Sequence, residues 1–335
     1  MMSYRITAAA AAAATLAALA LCAAPPKKPR IAVLMYGNKA EFVQLMQAYG
    51  KQHPAITGGL AELVFYDGRY DAAVQNDQAQ LAINAKSDAI IVNPMDFNAN
   101  IEVVRKAKVA HIPVIVTNAV LNTEEMTSEA ACDDELGGYL QAKAVLQKMG
   151  CKGNLVIIEG PKGGSGEIQR GKGNMRAIGE CPAGAVKILE RRPANWSRAE
   201  AMDLMQNWLS RHRGAIQGVI GQNDEMALGA IEAIKSSGQP LNKFAIVGID
   251  GITDALRAVK RGEMATFLQD ARAQMQASID LALRAVMGPS YKPMSPIWKQ
   301  YEGAMKWNDG QSKHYPIPWT AVTPANADQL LQARK

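Results

Sequence analysis

The sequence predicts an α/β protein built as two doubly wound lobes, each around a parallel sheet. Short β-rich apolar runs alternate with amphipathic segments of helical length, the pattern of parallel sheets with helices between their strands. Capping residues and glycines stand where those helices would start and stop. The nine or so strand–helix units exceed one ordinary domain, and the irregular stretch 119–131 reads as a crossover between lobes. With 48% hydrophobic residues the chain can bury large cores, whereas four cysteines are too few to staple 335 residues.

Residues 1–24 read as a signal peptide rather than as part of the fold. Arg5 carries the charge, residues 6–24 are almost wholly Ala and Leu, and a breaker-rich basic stretch runs from Pro25 to Arg30. Ala is too weakly apolar for a stable membrane span of roughly 20 residues. Ala18-Leu19-Ala20 fits a small-x-small cleavage site, and Leu19-Ala20-Leu21-Cys22 resembles a lipoprotein box with a poor residue before the cysteine. An exported soluble protein is expected over a form lipid-anchored through Cys22.

The expected strands are 31–36, 63–66, 89–92, 114–117, 155–159, 186–189, 219–221, 244–249 and 265–268. Helices are expected over 40–49, 72–86, 98–110, 134–149, 198–211 and 225–237. Ser197, Asp224 and Asp254 can cap N-termini, and Gly150, Gly238 and Gly262 can end helices. Ligands of doubly wound folds sit at the carboxyl ends of the strands. Residues just past the expected strands are mostly carboxamides and acids with Phe42 and Trp196 among them, an inventory suited to a small polyhydroxylated molecule.

Other chemistries lack their residues. The loop 160–166 is glycine-rich but has no Gly-Lys-Ser/Thr ending, and Gln169 stands where a dinucleotide fingerprint needs its third glycine. Glu167 occupies the position where a nucleophile elbow needs glycine. His53, His111, His212 and His314 are scattered without metal-ligand spacing and read as surface or capping residues. The net charge of +6, or +5 without Arg5, comes from basic residues dispersed among acids, so no nucleic-acid stripe is expected.

Several stretches carry a family likeness: Asp88-Ala-Ile-Ile-Val-Asn-Pro94, Ile112-Pro-Val-Ile-Val116, Gln222-Asn-Asp-Glu-Met-Ala-Leu-Gly-Ala230 and Ile246-Val-Gly-Ile-Asp-Gly251. From about Arg30 to Lys335 the chain resembles the type I periplasmic sugar-binding proteins, the ribose- and inositol-binding group of ABC transporter substrate-binding proteins. Phe267-Leu-Gln-Asp270 and the tail from Pro318 to Asn326 look closer to the inositol subgroup. The resemblance implies a three-segment hinge with crossings near Ala131, Gln269 and Pro318. The N-terminal lobe would then be 30–131 plus 270–317, and the C-terminal lobe 132–269 plus 318–335. It also implies binding by lobe closure, with no reaction, cofactor or metal, in a periplasmic monomer that docks on ABC permease subunits of the inner membrane.

Carried over residue by residue, Phe42 and Trp196 match the aromatics that sandwich the ligand ring. Arg170 matches an arginine that donates to ligand oxygens, Asn223 and Asp250 an amide and an acid of the second lobe, Asn93 the asparagine of an Asn-Pro turn, and Gln269 the hinge-adjacent glutamine. Two departures bear on the ligand. Ribose-type receptors place Asp-Arg after the fourth strand, where this chain has Asn118-Ala119, so a charge-assisted clamp is missing. Lys39-Ala40-Glu41-Phe42 replaces Asn-Pro-Phe-Phe and puts Lys39 at the cleft mouth. A cyclitol or other polyol is therefore expected over plain ribose. Cys151 before one strand and Cys181 after the following helix fall at the same end of the sheet, away from the cleft, so a disulfide is plausible and Cys132 would stay free. Alternatives are a chemotaxis or sensor-kinase receptor with this fold, and the effector domain of a sugar-responsive repressor, against which the signal peptide counts.

Overall fold

The computed structural model describes residues 27–334; the expected signal peptide and Cys22 lie outside the described residues. The first sheet is laid down by β1 (Arg30–Met35), β2 (Glu62–Asp67), β3 (Ala89–Val92), β4 (Val114–Thr117) and β5 (Ser128–Ala131). Between them run α1 (Glu41–Lys51), α2 (Pro54–Thr57), α3 (Ala72–Asn84) and α4 (Ile101–Val109). The strands pair in parallel in the order β2-β1-β3-β4-β5.

The chain then builds a second sheet through α5 (Asp134–Met149), β6 (Gly153–Glu159), α6 (Ser165–Gly179), β7 (Val186–Pro193), α7 (Arg198–His212) and β8 (Gly218–Gly221). It continues through α8 (Asp224–Ser236), β9 (Ala245–Val247), α9 (Thr253–Lys260) and β10 (Thr266–Leu268). The order β7-β6-β8-β9 repeats that of the first sheet, and parallel bridges Val247–Ala265 and Asp250–Leu268 lay β10 alongside β9. After α10 (Ala271–Met287) and α11 (Ile297–Gln300), β11 (His314–Pro316) pairs with β5 in the first sheet. Finally β12 (Thr320–Val322) pairs antiparallel with β10, and α12 (Pro324–Gln332) packs against α9. The chain thus passes between sheets three times, at 131–134, 268–271 and 316–320.

The central strands are apolar on both faces because both are covered, as parallel sheets require. Ala32 and Leu34 of β1 join Val103 and Ala107 of α4 on one side, while Ile31, Val33 and Met35 join Met46 of α1 and Met275 of α10 on the other. In the second sheet Leu155 and Ile157 meet Val145 of α5, and Val156 and Ile158 share a core with Met226 of α8.

Several details differ from the sequence reading. The last four residues of 119–131 form β5, which Ser128-Glu129-Ala130-Ala131 hides by having no β-branched side chain. The three-residue β11 and β12 are too short to show a period. Ser197 caps α7, but Asn223 rather than Asp224 caps α8, and Asp254 lies inside α9 behind a non-bonding Ile252 cap. Cys151 and Cys181 form a disulfide with Cα atoms 5.5 Å apart, and Cys132 is a buried free thiol at the first passage.

His53 is not a surface residue. It caps α2, its Nδ1 accepting from the Ala55 amide at 3.1 Å, and is fully buried with Nε2 3.2 Å from Asp280 of α10. Asp280 also accepts from Tyr291 Oη (2.6 Å), Trp298 Nε1 (2.7 Å) and the amides of Met294 and Ser295 (2.9 and 3.1 Å). Burial pushes this carboxyl up, but the donors, His53 first, outweigh it and hold it below its ordinary value. One carboxylate therefore folds the 291–298 segment onto α10. Asp280→Asn is expected to lower unfolding stability by about 2–4 kcal/mol, read as a lower urea midpoint at unchanged slope.

Candidate functional site

The carboxyl ends of the two sheets face one another across a cleft enclosing about 490 Å³, its mouth included. Of the expected residues, Phe42, Asn118, Arg170, Trp196, Asn223, Asp250 and Gln269 line it together. Each follows a strand or stands on the helix after one, as the topology dictates. Two expected residues do not line it. Asn93 is fully buried behind the wall, where its Oδ1 accepts from Asn118 Nδ2 (3.2 Å) and its carbonyl from Gln75 Nε2 (2.9 Å). Lys39 is exposed and lines an adjoining groove with Arg69 and Tyr70. Tyr36 and Asp134 line the cleft but were not expected there: Tyr36 reads as the last residue of a buried strand, and Asp134 as an ordinary first-turn acid.

Arg170, on α6 and 5% exposed, organises the floor. Its Nε donates to Asp134 Oδ1 (2.8 Å), Nη1 to the Gln222 carbonyl (2.6 Å) and Nη2 to Gln269 Oε1 (3.0 Å). Three of its five N–H groups are thereby taken, leaving two for a ligand. Burial pushes the Asp134 carboxyl up and the guanidinium pulls it back. The Arg170 guanidinium also lies 5.5 Å from the centre of the Trp196 ring.

Trp196 reaches the cleft because Asn195 and Trp196 both adopt left-handed backbone (φ 53° and 60°) and because Gly160 leaves room for the indole: a Cβ there would stand 2.2 Å from Cη2. Phe42 comes from the opposite lobe, so two aromatic faces bound the space. The rest of the glycine-rich loop spans the gap between lobes. Gly163 O accepts from the Phe97 amide (2.8 Å) and Ser165 Oγ from the Val120 amide (2.9 Å).

Several polar atoms of the cleft have no protein partner. Asn118 Oδ1 and Gln269 Nε2 are buried and unbonded. Asn223 Oδ1 is used to cap α8 through the Met226 amide (3.0 Å), while no bond from its Nδ2 occurs among the described residues. The Asp250 carboxylate likewise has no hydrogen bond among the described residues, and its backbone is held at φ 121°. Burial drives its carboxyl well up, with Arg170 opposing and Asp224 adding. Asp224 beneath it accepts from Thr266 Oγ1 (2.6 Å) and the Ile252 amide (3.0 Å), and burial pushes it up to about 7. Unsatisfied buried donors and acceptors between two aromatic faces describe a site completed by a small hydroxylated ligand.

The model of the periplasmic binding protein domain matches residues 31–290. The chain belongs to the periplasmic binding protein family. This periplasmic binding protein is 37% identical over 274 residues to a xylitol-binding protein of Mycolicibacterium smegmatis, covering 81% of this chain and 76% of that one. It is 30% identical to the ribose import binding protein of Salmonella typhimurium over 78% of this chain and 85% of its relative. Its fold matches an ABC transporter solute binding protein from Bacillus halodurans with bound myo-inositol, with a TM-score of 0.80, 30% identity, and coverage of 92% and 99% of the two chains. The family consists of substrate-binding proteins of transporters, which are not catalysts.

Beside the cleft the two lobes are clasped. Glu41 Oε1, at the start of α1, accepts from the Thr253 amide at the N-terminus of α9 (3.0 Å). Arg334 stands 3.7 Å from the same oxygen while it bonds Thr253 Oγ1 (3.3 Å) and the Gly251 carbonyl. Glu41 does not line the cleft, so these bonds join the lobes without touching the cleft. A carboxylate on a helix N-terminus contributes about 1–2 kcal/mol. Glu41→Ala is expected to raise the Kd of every accepted ligand by a common factor of about 5 to 30, mainly through faster release, as measured by stopped-flow fluorescence.

Proposed function

We propose that this periplasmic binding protein captures a neutral sugar or cyclitol, a myo-inositol-like polyol in preference to plain ribose, for an ABC importer. The observation that carries the ligand class is the balance of charge in the cleft. Its arginine already bonds Asp134, and the unbonded groups beside it are amides and the Asp250 carboxyl, which burial drives toward its neutral form. A net-neutral ligand whose hydroxyls both donate and accept completes such a set, whereas an anionic or cationic one would leave a charge unpaired. Phe42 and Trp196 supply apolar faces for the ligand ring. The relative named for xylitol and the fold match holding myo-inositol support this choice.

In this reading Arg170, Asn118, Asn223, Asp250 and Gln269 contact ligand hydroxyls, Asn93 holds Asn118, and Lys39 stays at the rim. Residues 30–131 with 270–317 move as one lobe and 132–269 with 318–335 as the other. Closure follows because only a ligand that touches both lobes favours the closed state. The mature chain works as a periplasmic monomer after signal removal, and the closed form docks on the permease.

A thermal-shift screen of pentoses, hexoses, alditols and cyclitols, followed by calorimetry, tests this. A ligand at 100 times its Kd should stabilise the protein by about 2.7 kcal/mol. A cyclitol or alditol should give the largest shift, and Trp196→Ala should abolish it while the unliganded protein stays folded. Tight ribose binding with no response to inositol or xylitol would overturn the ligand choice.

A further inference from the structure

Tyr36 has no role in the site as the sequence describes it, yet it is placed like a ligand contact. It follows β1, lines the cleft and is 9% exposed. Among the described residues its phenol oxygen makes no hydrogen bond, and it keeps access to the cleft rather than being a sealed, orphaned hydroxyl.

The ring is aimed by a purpose-shaped support. Tyr70 stacks edge-on against it with centroids 5.5 Å apart, and the Tyr70 amide donates to the Tyr36 carbonyl at 2.7 Å. Tyr70 is itself fixed: its hydroxyl accepts from the amides of Lys39 and Ala40, both at 3.3 Å. Gly37 admits the Tyr70 ring only because it has no side chain, since a Cβ there would stand 2.3 Å from Cε2. Tyr70 holds a left-handed backbone (φ 61°) to make this contact.

The Asp250 carboxyl, lining the same cleft, is also unbonded among the described residues, and next to Asn118 the wall carries only the methyl group of Ala119. The phenol is thus a fixed neutral donor and acceptor in a lining whose other polar side chains are amides, acids, Arg170 and Ser165. We propose that the Tyr36 hydroxyl is a specificity-determining contact that reads one particular hydroxyl of a neutral polyol in this cleft. Burial keeps the phenol well above its usual range, with Tyr70 and Asp250 adding and Arg170 opposing, so it can donate its proton to that hydroxyl at any physiological pH.

This inference rests on the polyol reading of the cleft. The test is calorimetry on the full mature protein, with the tightest binder among myo-inositol, xylitol and D-ribose as probe, together with its monodeoxy analogues. Tyr36→Phe should weaken the probe about five- to tenfold while leaving the melting temperature of the unliganded protein within a few degrees. At least one monodeoxy analogue should lose affinity against the wild type and bind Tyr36→Phe with no further loss. An unchanged affinity for the probe, or an equal loss for the probe and for every analogue, overturns the assignment. In those cases Trp196→Ala still abolishes binding and the polyol reading survives. If the wild type binds no probe, the polyol reading fails first and the inference falls with it.

Discussion

Pairing of the buried Arg170 guanidinium is the constraint on which the site depends. A cation removed from water must be bonded on most of its N–H groups or its burial is prohibitively costly. Its three protein partners come from separate parts of the chain: Asp134 just after the first passage between lobes, Gln269 at the second, and the Gln222 carbonyl after β8. To bring them together α5 must lie very close to α6. Gly138 and Gly173 make that possible, because a Cβ on Gly138 would stand 2.1 Å from the Arg170 carbonyl and one on Gly173 2.0 Å from the Glu135 carbonyl. The third passage is tied in as well, by Trp319 Nε1 donating to the Asp133 carbonyl at 2.7 Å. Cleft floor and the passages between sheets therefore share one network, and in the proposed reading a hydroxyl that engages Arg170 acts directly on two of the crossings.

Around that network the cleft is held in conformations that cost energy and are maintained by the surrounding packing. Asn118 (φ 65°), Trp196 (φ 60°) and Asp250 (φ 121°) all have backbone that favours glycine, and all three line the cleft. Unbonded amides and a desolvated acid add to the cost. A ligand that satisfies these groups relieves part of it, which gives selectivity for molecules that match the whole set of donors and acceptors. The clasp through Glu41 and Arg334 joins the lobes outside the cleft, so its contribution does not depend on which ligand is bound.

The architecture was legible in the sequence because buried parallel strands leave a coarse signal. Ala89–Val92 is wholly apolar and Val114–Thr117 apolar up to its last residue, both buried throughout, and α5 opens at Asp134 and ends before Gly150. What could not be read was set by distant partners. β5 and β11 exist because each pairs with a neighbour, not because Ser128–Ala131 or His314–Pro316 favours a strand. Asp224 looked like a cap because it precedes a helix, but Thr266 and the Ile252 amide draw its carboxylate inward and leave the cap to Asn223. Much of the cleft followed from one rule, that ligand residues sit just past strand ends. Tyr36 and Asp134 escaped it because one counted as strand and the other as helix start. Lys39 and Asn93 obey it in position, yet one turns to the rim and the other inward.

The claim that one guanidinium couples ligand contact to the hinge is tested most directly by measuring ligand affinity in Arg170→Lys. A lysine retains the charge and can pair with Asp134, but a single ammonium on a flexible stem cannot also span the Gln222 carbonyl and Gln269 in the geometry of the fork. The account predicts a protein that still unfolds cooperatively, though less stably, and binds the wild type's ligand at least tenfold more weakly by calorimetry. An unchanged affinity in a well-folded Arg170→Lys protein would contradict it.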